Sequence, residues 1–164
     1  MIRHRVLRVC ALLLPFLVAA CGSSRSGASD VAPTPALAAL EGQWDGEYVA
    51  EDTAIGGRVS FRLTASGDSA TGNARVVPRG ATQPLDPATP SGQPGSLRIT
   101  FVRLESGEVQ GTLEPFRDPD GGAAVSTTLV GAIDGDNLSG TFTSTSPDAA
   151  APMTGRWSVM RRSP

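Results

Sequence analysis

Beyond a short apolar stretch at residues 36–40, apolar or small residues recur at every second position in eight successive runs. In chain order they are Trp44/Gly46/Tyr48, Val59/Phe61/Leu63, Gly72/Ala74/Val76, Leu97/Ile99/Phe101, Val109/Gly111/Leu113, Val125/Leu129/Ile133, Leu138/Gly140/Phe142 and Met153/Gly155/Trp157/Val159. The opposite alternates include Arg58, Arg62, Asn73, Arg75, Arg98, Gln110, Thr112, Ser139, Thr141, Arg156 and Ser158. A period of two with one apolar and one wet face predicts strands, each half-buried. Eight of them in a meander leave no exposed edge if the last pairs with the first. The expected fold is therefore all-β, an eight-stranded antiparallel up-and-down β-barrel over residues 40–164.

Turn chemistry supports this order. Gly67-Asp68, Gly107-Glu108 and Gly135-Asp136 each stand just before a strand that carries a glycine on its apolar side, as if one hairpin unit were repeated. The second, fourth and sixth connections are short. The first, third, fifth and seventh, near residues 51–57, 79–95, 117–122 and 146–152, are long. Because odd and even connections of a meander lie at opposite ends, the barrel has a long-loop end and a tight-turn end. The chain enters the first strand at the tight-turn end.

Before the strands the pattern changes. Arg3, His4, Arg5 and Arg8 precede an apolar run at residues 9–20, which is too short to span a bilayer and has the layout of a cleaved export signal. The run ends in Val18-Ala19-Ala20-Cys21. This resembles the lipobox of bacterial lipoproteins, which implies cleavage between Ala20 and Cys21 and acylation of the Cys21 thiol, with three chains including palmitate. At about 0.8 kcal/mol per buried methylene, two chains already anchor a protein stably. Gly22 is not the aspartate that retains such proteins at the inner membrane, so an outer-membrane location follows in a cell with two membranes, and the outer face of the cell membrane otherwise. Residues 22–35 are rich in Gly, Ser, Ala and Pro, and the segment 21–39 reads as the lipidated cysteine and a flexible tether.

Composition narrows the chemistry. Loss of Arg3, Arg5 and Arg8 with the signal leaves 11 arginines against 16 carboxylates, a net charge of −5, and no basic patch that would track a nucleic acid. The mature chain has no histidine and only one cysteine, so neither a Ser-His-Asp nor a Cys-His arrangement is expected, nor a histidine-ligated metal. Glu51/Asp52 and Asp118/Asp120 are paired carboxylates in predicted loops, and Asp118-Pro119-Asp120-Gly121-Gly122 reads as a turn, because Leu129 stands where a calcium loop needs glutamate. Neither an enzyme nor a cofactor is expected. A barrel that crosses lipid through its strands would show aromatic girdles, but the mature chain has only seven aromatic residues.

Trp44, Tyr48, Phe61, Phe101, Phe142 and Trp157 fall on the inward alternates. They either line an apolar pocket or fill the barrel, since eight strands enclose just enough space for either. Inward glycines at 46, 72, 111, 140 and 155 either leave room or serve curvature. The tripeptide Gly42-Gln43-Trp44 on the first strand resembles the G-x-W of the calycin group, which includes lipocalins and avidins. The resemblance implies that Trp44 closes one end of the barrel beneath an arginine late in the last strand, Arg161 or Arg162. Two functions fit these expectations. One is an envelope-anchored binding module for a small apolar ligand. The other is a structural or protein-interaction lipoprotein, hydrolase inhibitors included, with a filled core.

Overall fold

The computed structural model describes residues 32–51, 53–89, 93–118 and 122–163. Ala20, Cys21, most of the expected tether, Asp52 and Asp120 lie outside the described residues. All eight alternating runs form strands: β1 (Gly42–Ala50), β2 (Gly56–Ser66), β3 (Ser69–Pro78), β4 (Leu97–Arg103), β5 (Val109–Arg117), β6 (Ala124–Asp134), β7 (Asn137–Thr145) and β8 (Met153–Arg161). Each pairs antiparallel with its neighbour in sequence, and β1 pairs with β8 from Trp44↔Arg161 to Ala50↔Gly155, which closes the barrel. The register follows from burial. A slip of one residue would turn Val59, Phe61 and Leu63 outward and Arg58 and Arg62 inward. Arg58, Arg62, Arg75, Arg98 and Arg156 stand exposed on the outer wall, the reverse of the apolar exterior that a lipid-crossing barrel presents.

Two of the three expected hairpin copies match. Gly67 and Gly135 have φ of +57° and +58°, and each is followed by an aspartate whose φ is negative. Positive φ at the first turn residue is the requirement of a II′ hairpin, and glycine meets it without steric cost. The third differs: β4 and β5 are joined by residues 104–108, with Leu104 N–H donating to the Glu108 carbonyl at 2.8 Å and Gly107 N–H to the Leu104 carbonyl at 3.0 Å.

Inward glycines mark close backbone approach rather than empty space. A Cβ at Gly72 would lie 1.8 Å from the Arg62 carbonyl oxygen, and one at Gly140 would lie 1.9 Å from that of Val130. A strongly coiled small barrel brings neighbouring strands together at such points.

The tight-turn end is stoppered by a piece of chain expected to be tether. A single helical turn, α1 (Pro35–Ala38), packs beside β2, β3 and β4 and buries Leu37 to 1% and Leu40 to 0% exposure. The packed body therefore begins at Pro35 and not at residue 40. Proline suits the first position of a helix because its missing N–H would be unpaired there anyway. The i, i+3 spacing puts both leucines on one face.

At the opposite end the wall has a short strand. β4 begins only at Leu97, opposite Ala74, so residues 75–78 of β3 and 114–117 of β5 have no ladder partner on it. Part of the third connection fills the opening. Leu85 N–H donates to the Val76 carbonyl at 2.8 Å, Ala88 N–H to the Pro115 carbonyl at 2.8 Å, and Arg117 N–H to the Asp86 carbonyl at 3.1 Å. Pro87 forms a bridge with Phe116. A carboxylate oxygen of Asp86 accepts the Gly95 N–H at 2.7 Å, tying the connection back on itself.

Candidate functional site

Above the middle of the barrel the interior is hollow, with a cavity of about 580 Å³ that opens among the long loops. Its floor is aromatic. Phe61 and Trp157 meet edge-on at 6.0 Å between ring centroids, and Phe101 packs against both from below at 5.9 and 6.4 Å. The two edge-to-face contacts, Phe61–Trp157 and Phe61–Phe101, add roughly 0.5–1.5 kcal/mol each beyond burial, which stiffens the floor. The indole Nε1 of Trp157 donates to the Thr141 carbonyl at 3.0 Å, so the ring that faces the cavity keeps its one polar atom in the wall. Higher up, Tyr48 and Phe142 pair edge-on at 6.0 Å, and aliphatic side chains such as Val59, Ile99, Leu113 and Leu129 complete the wall.

Of the six aromatic residues expected inside, Tyr48, Phe61, Phe142 and Trp157 border the cavity. Trp44 and Phe101, both 0% exposed, lie below the floor and fill the lower half with Leu37, Leu40 and Leu138. The two expectations, a lined pocket and a packed core, thus each describe one half of the barrel. A seventh aromatic, Phe116, also borders the cavity, although it stands on the polar alternate of its run. The cause is a bulge: Leu113 pairs with Thr127 and Phe116 with Val125, so one extra residue of β5 is accommodated between them and the alternation inverts. Pro115, which cannot donate to a ladder, was the signal in the sequence.

The lower end is closed by an arginine. The Arg161 guanidinium lies 4.2 Å above the Trp44 ring, donates through Nε to an Asp136 carboxylate oxygen at 3.0 Å, and also donates to the carbonyls of Ala39 and Glu41 at the end of α1. Trp44 Nε1 donates to the Leu40 carbonyl at 2.8 Å. Gly42 belongs to the same cluster: its φ is +122°, and a Cβ there would meet an Arg161 guanidinium nitrogen at 3.0 Å. Both glycine and tryptophan of the G-x-W are thus needed by one guanidinium. Arg162 instead pairs with Asp45 at 2.8 Å on the outer wall.

The cavity's polar groups are few. Thr127 and Ser144, at 8% and 6% exposure, share a hydrogen bond of 2.7 Å between their hydroxyl oxygens. Burial pushes the Tyr48 phenol above its ordinary value near 10, so it stays a neutral hydroxyl throughout the physiological range. Arg79 and Asp118 border the cavity from the loops. Among the described residues no three His, Cys, Asp or Glu side chains converge to hold a metal ion, and no helix is long and apolar enough to cross a membrane.

Fold and site together define a closed eight-stranded antiparallel barrel, sealed at its tight-turn end and hollow at its long-loop end. No protein-family model, curated protein or solved structure matches the chain.

Proposed function

We propose that this chain is a lipoprotein of the bacterial cell envelope, anchored by acyl chains on Cys21, whose calycin-like barrel binds a small apolar molecule. The observation that carries the binding reading is the aromatic-floored cavity of about 580 Å³. Its size is within the range of about 300–1,000 Å³ typical of small-molecule sites, and an apolar lining with few convergent polar groups is their usual makeup. The address rests on the lipobox-like Val18-Ala19-Ala20-Cys21, and the G-x-W beneath Arg161 supports the calycin likeness.

The test is uptake of the uncharged dye N-phenyl-1-naphthylamine by the unacylated mature chain. Saturable fluorescence enhancement at one dye per chain is expected. Leu129→Trp, which puts an indole into the hollow half, is expected to weaken binding at least tenfold. Absence of saturable uptake by the folded protein would overturn the binding reading.

The anchor is tested separately. Cys21→Ala is expected to abolish incorporation of a fatty-acid analogue in cells and to leave the barrel's thermal midpoint unchanged, because the thiol precedes the packed body that starts at Pro35. Continued labelling of Cys21→Ala would overturn the lipobox reading.

A further inference from the structure

Every inward position of β7 before Ser144 is apolar or glycine: Leu138, Gly140 and Phe142. On β6, Thr127 lies between inward Val125 and Leu129. The two hydroxyl residues are direct cross-strand partners and both border the cavity. For packing alone, Val and Ala would serve in the same volume with no polar group to desolvate, and replacing both partners of a buried hydrogen bond in that way is close to neutral for stability. Two hydroxyls bring two protons, and their mutual bond uses one. The second proton has no protein acceptor among the described residues, so the pair offers one donor to whatever occupies the cavity.

The charges lie elsewhere. Among the described lining residues only Arg79 and Asp118 are ionisable with charge at neutral pH, and both belong to the loops around the opening. They have opposite signs. A carboxylate or ammonium brought to the buried Thr127–Ser144 pair, where the proposed oxygen sits, would give up hydration for two uncharged hydroxyls that supply no counter-charge, at a cost of several kcal/mol. An uncharged oxygen meets no such barrier and finds a donor in the wall.

Taking the cavity as a ligand site, as the proposed function does, we infer that its ligand class is an uncharged amphiphile. An apolar chain or ring lies on Phe61 and Trp157, and one ketone, ester or hydroxyl oxygen accepts the spare proton of the Thr127–Ser144 pair. The pair is the specificity determinant. The apolar wall supplies affinity for any hydrocarbon of suitable size.

Competition against N-phenyl-1-naphthylamine tests this with decan-2-one and decanoate, which share a ten-carbon skeleton and differ in the charge on the oxygen-bearing end. On the unaltered barrel decan-2-one is expected to displace the dye and decanoate, at pH 8, to need at least tenfold more. In Thr127→Val/Ser144→Ala the ketone is expected to lose about five- to tenfold in affinity, the worth of one hydrogen bond, while the dye's own dissociation constant stays within twofold. That unchanged constant also reports that the variant is folded. Equal displacement by ketone and carboxylate on the unaltered barrel overturns the inference without reference to any variant. So does a double variant that binds the ketone as well as before. Failure of the dye itself to bind is a different result, which removes the cavity reading and this inference with it.

Discussion

Trp44→Ala is expected to lower the free energy of unfolding by about 3–5 kcal/mol, the range for truncating a fully buried tryptophan. The residue is 0% exposed, and its removal takes away more than area. The Leu40 carbonyl loses the indole N–H that it accepts, and the Arg161 guanidinium loses the ring face beneath it. Arg161 laces three chain segments, α1, β8 and the β6–β7 turn, so Arg161→Ala is expected to cost about 2 kcal/mol through the lost contact with the Trp44 ring and the half-buried carbonyl left at Ala39. Arg162→Ala serves as the control. Its partner pair with Asp45 is largely exposed and is expected to change stability by less than about 1 kcal/mol. Urea midpoints of the three variants measure this order, and equal midpoints for Arg161→Ala and Arg162→Ala would remove the capping role from Arg161.

Gly140→Val is expected to abolish the cooperative unfolding transition, or to cost more than about 3 kcal/mol where folded protein survives. Even a single Cβ at this position would sit 1.9 Å from the Val130 carbonyl oxygen and 2.5 Å from the Gly131 Cα, both backbone atoms that move only if the β6–β7 pairing moves. The branched side chain adds further volume at the same point. Gly107→Ala makes the contrast: a Cβ there has open space around it, and its cost is confined to placing alanine at φ +91°. Far-ultraviolet circular dichroism during thermal melts of both variants checks the prediction. A sharp, barely shifted transition for Gly140→Val would mean that the strands do not approach as closely as described.

Most of the wall was legible in the sequence, because a strand with one buried face writes its register as alternation. The parity of long and short connections was legible for a related reason: turn residues such as Gly67 and Gly135 are dictated locally by φ. Three features that shape the site were not. Phe116 faces the cavity only because of the bulge at Pro115; the proline marks a break in the ladder, but alternation by itself places Phe116 on the polar side. Residues 84–88, with two prolines and no alternation, become part of the wall only because β4 starts late and leaves Val76 and Pro115 with free carbonyls to be met. Leu37 and Leu40 form too short a stretch for a helical period to be distinguished from tether, so their burial is decided by the open base of the barrel and not by local preference. Alternation marks which side chains turn inward. It does not say whether their summed volume fills the enclosed space, and so the boundary between packed lower half and hollow upper half, drawn by Phe61, Phe101 and Trp157, belongs to the three-dimensional structure alone.

The seal at the base gives the barrel a consequence in transport terms. With α1, Trp44 and the Phe61–Phe101–Trp157 layer stacked along the axis, the described residues leave no continuous path from one end to the other. A vessel with a single opening holds its contents but does not conduct them. Any occupant leaves by the way it came, two occupants of full size exclude each other, and exchange passes the loop residues that border the cavity, Ala54, Ile55, Arg79, Leu85 and Asp118.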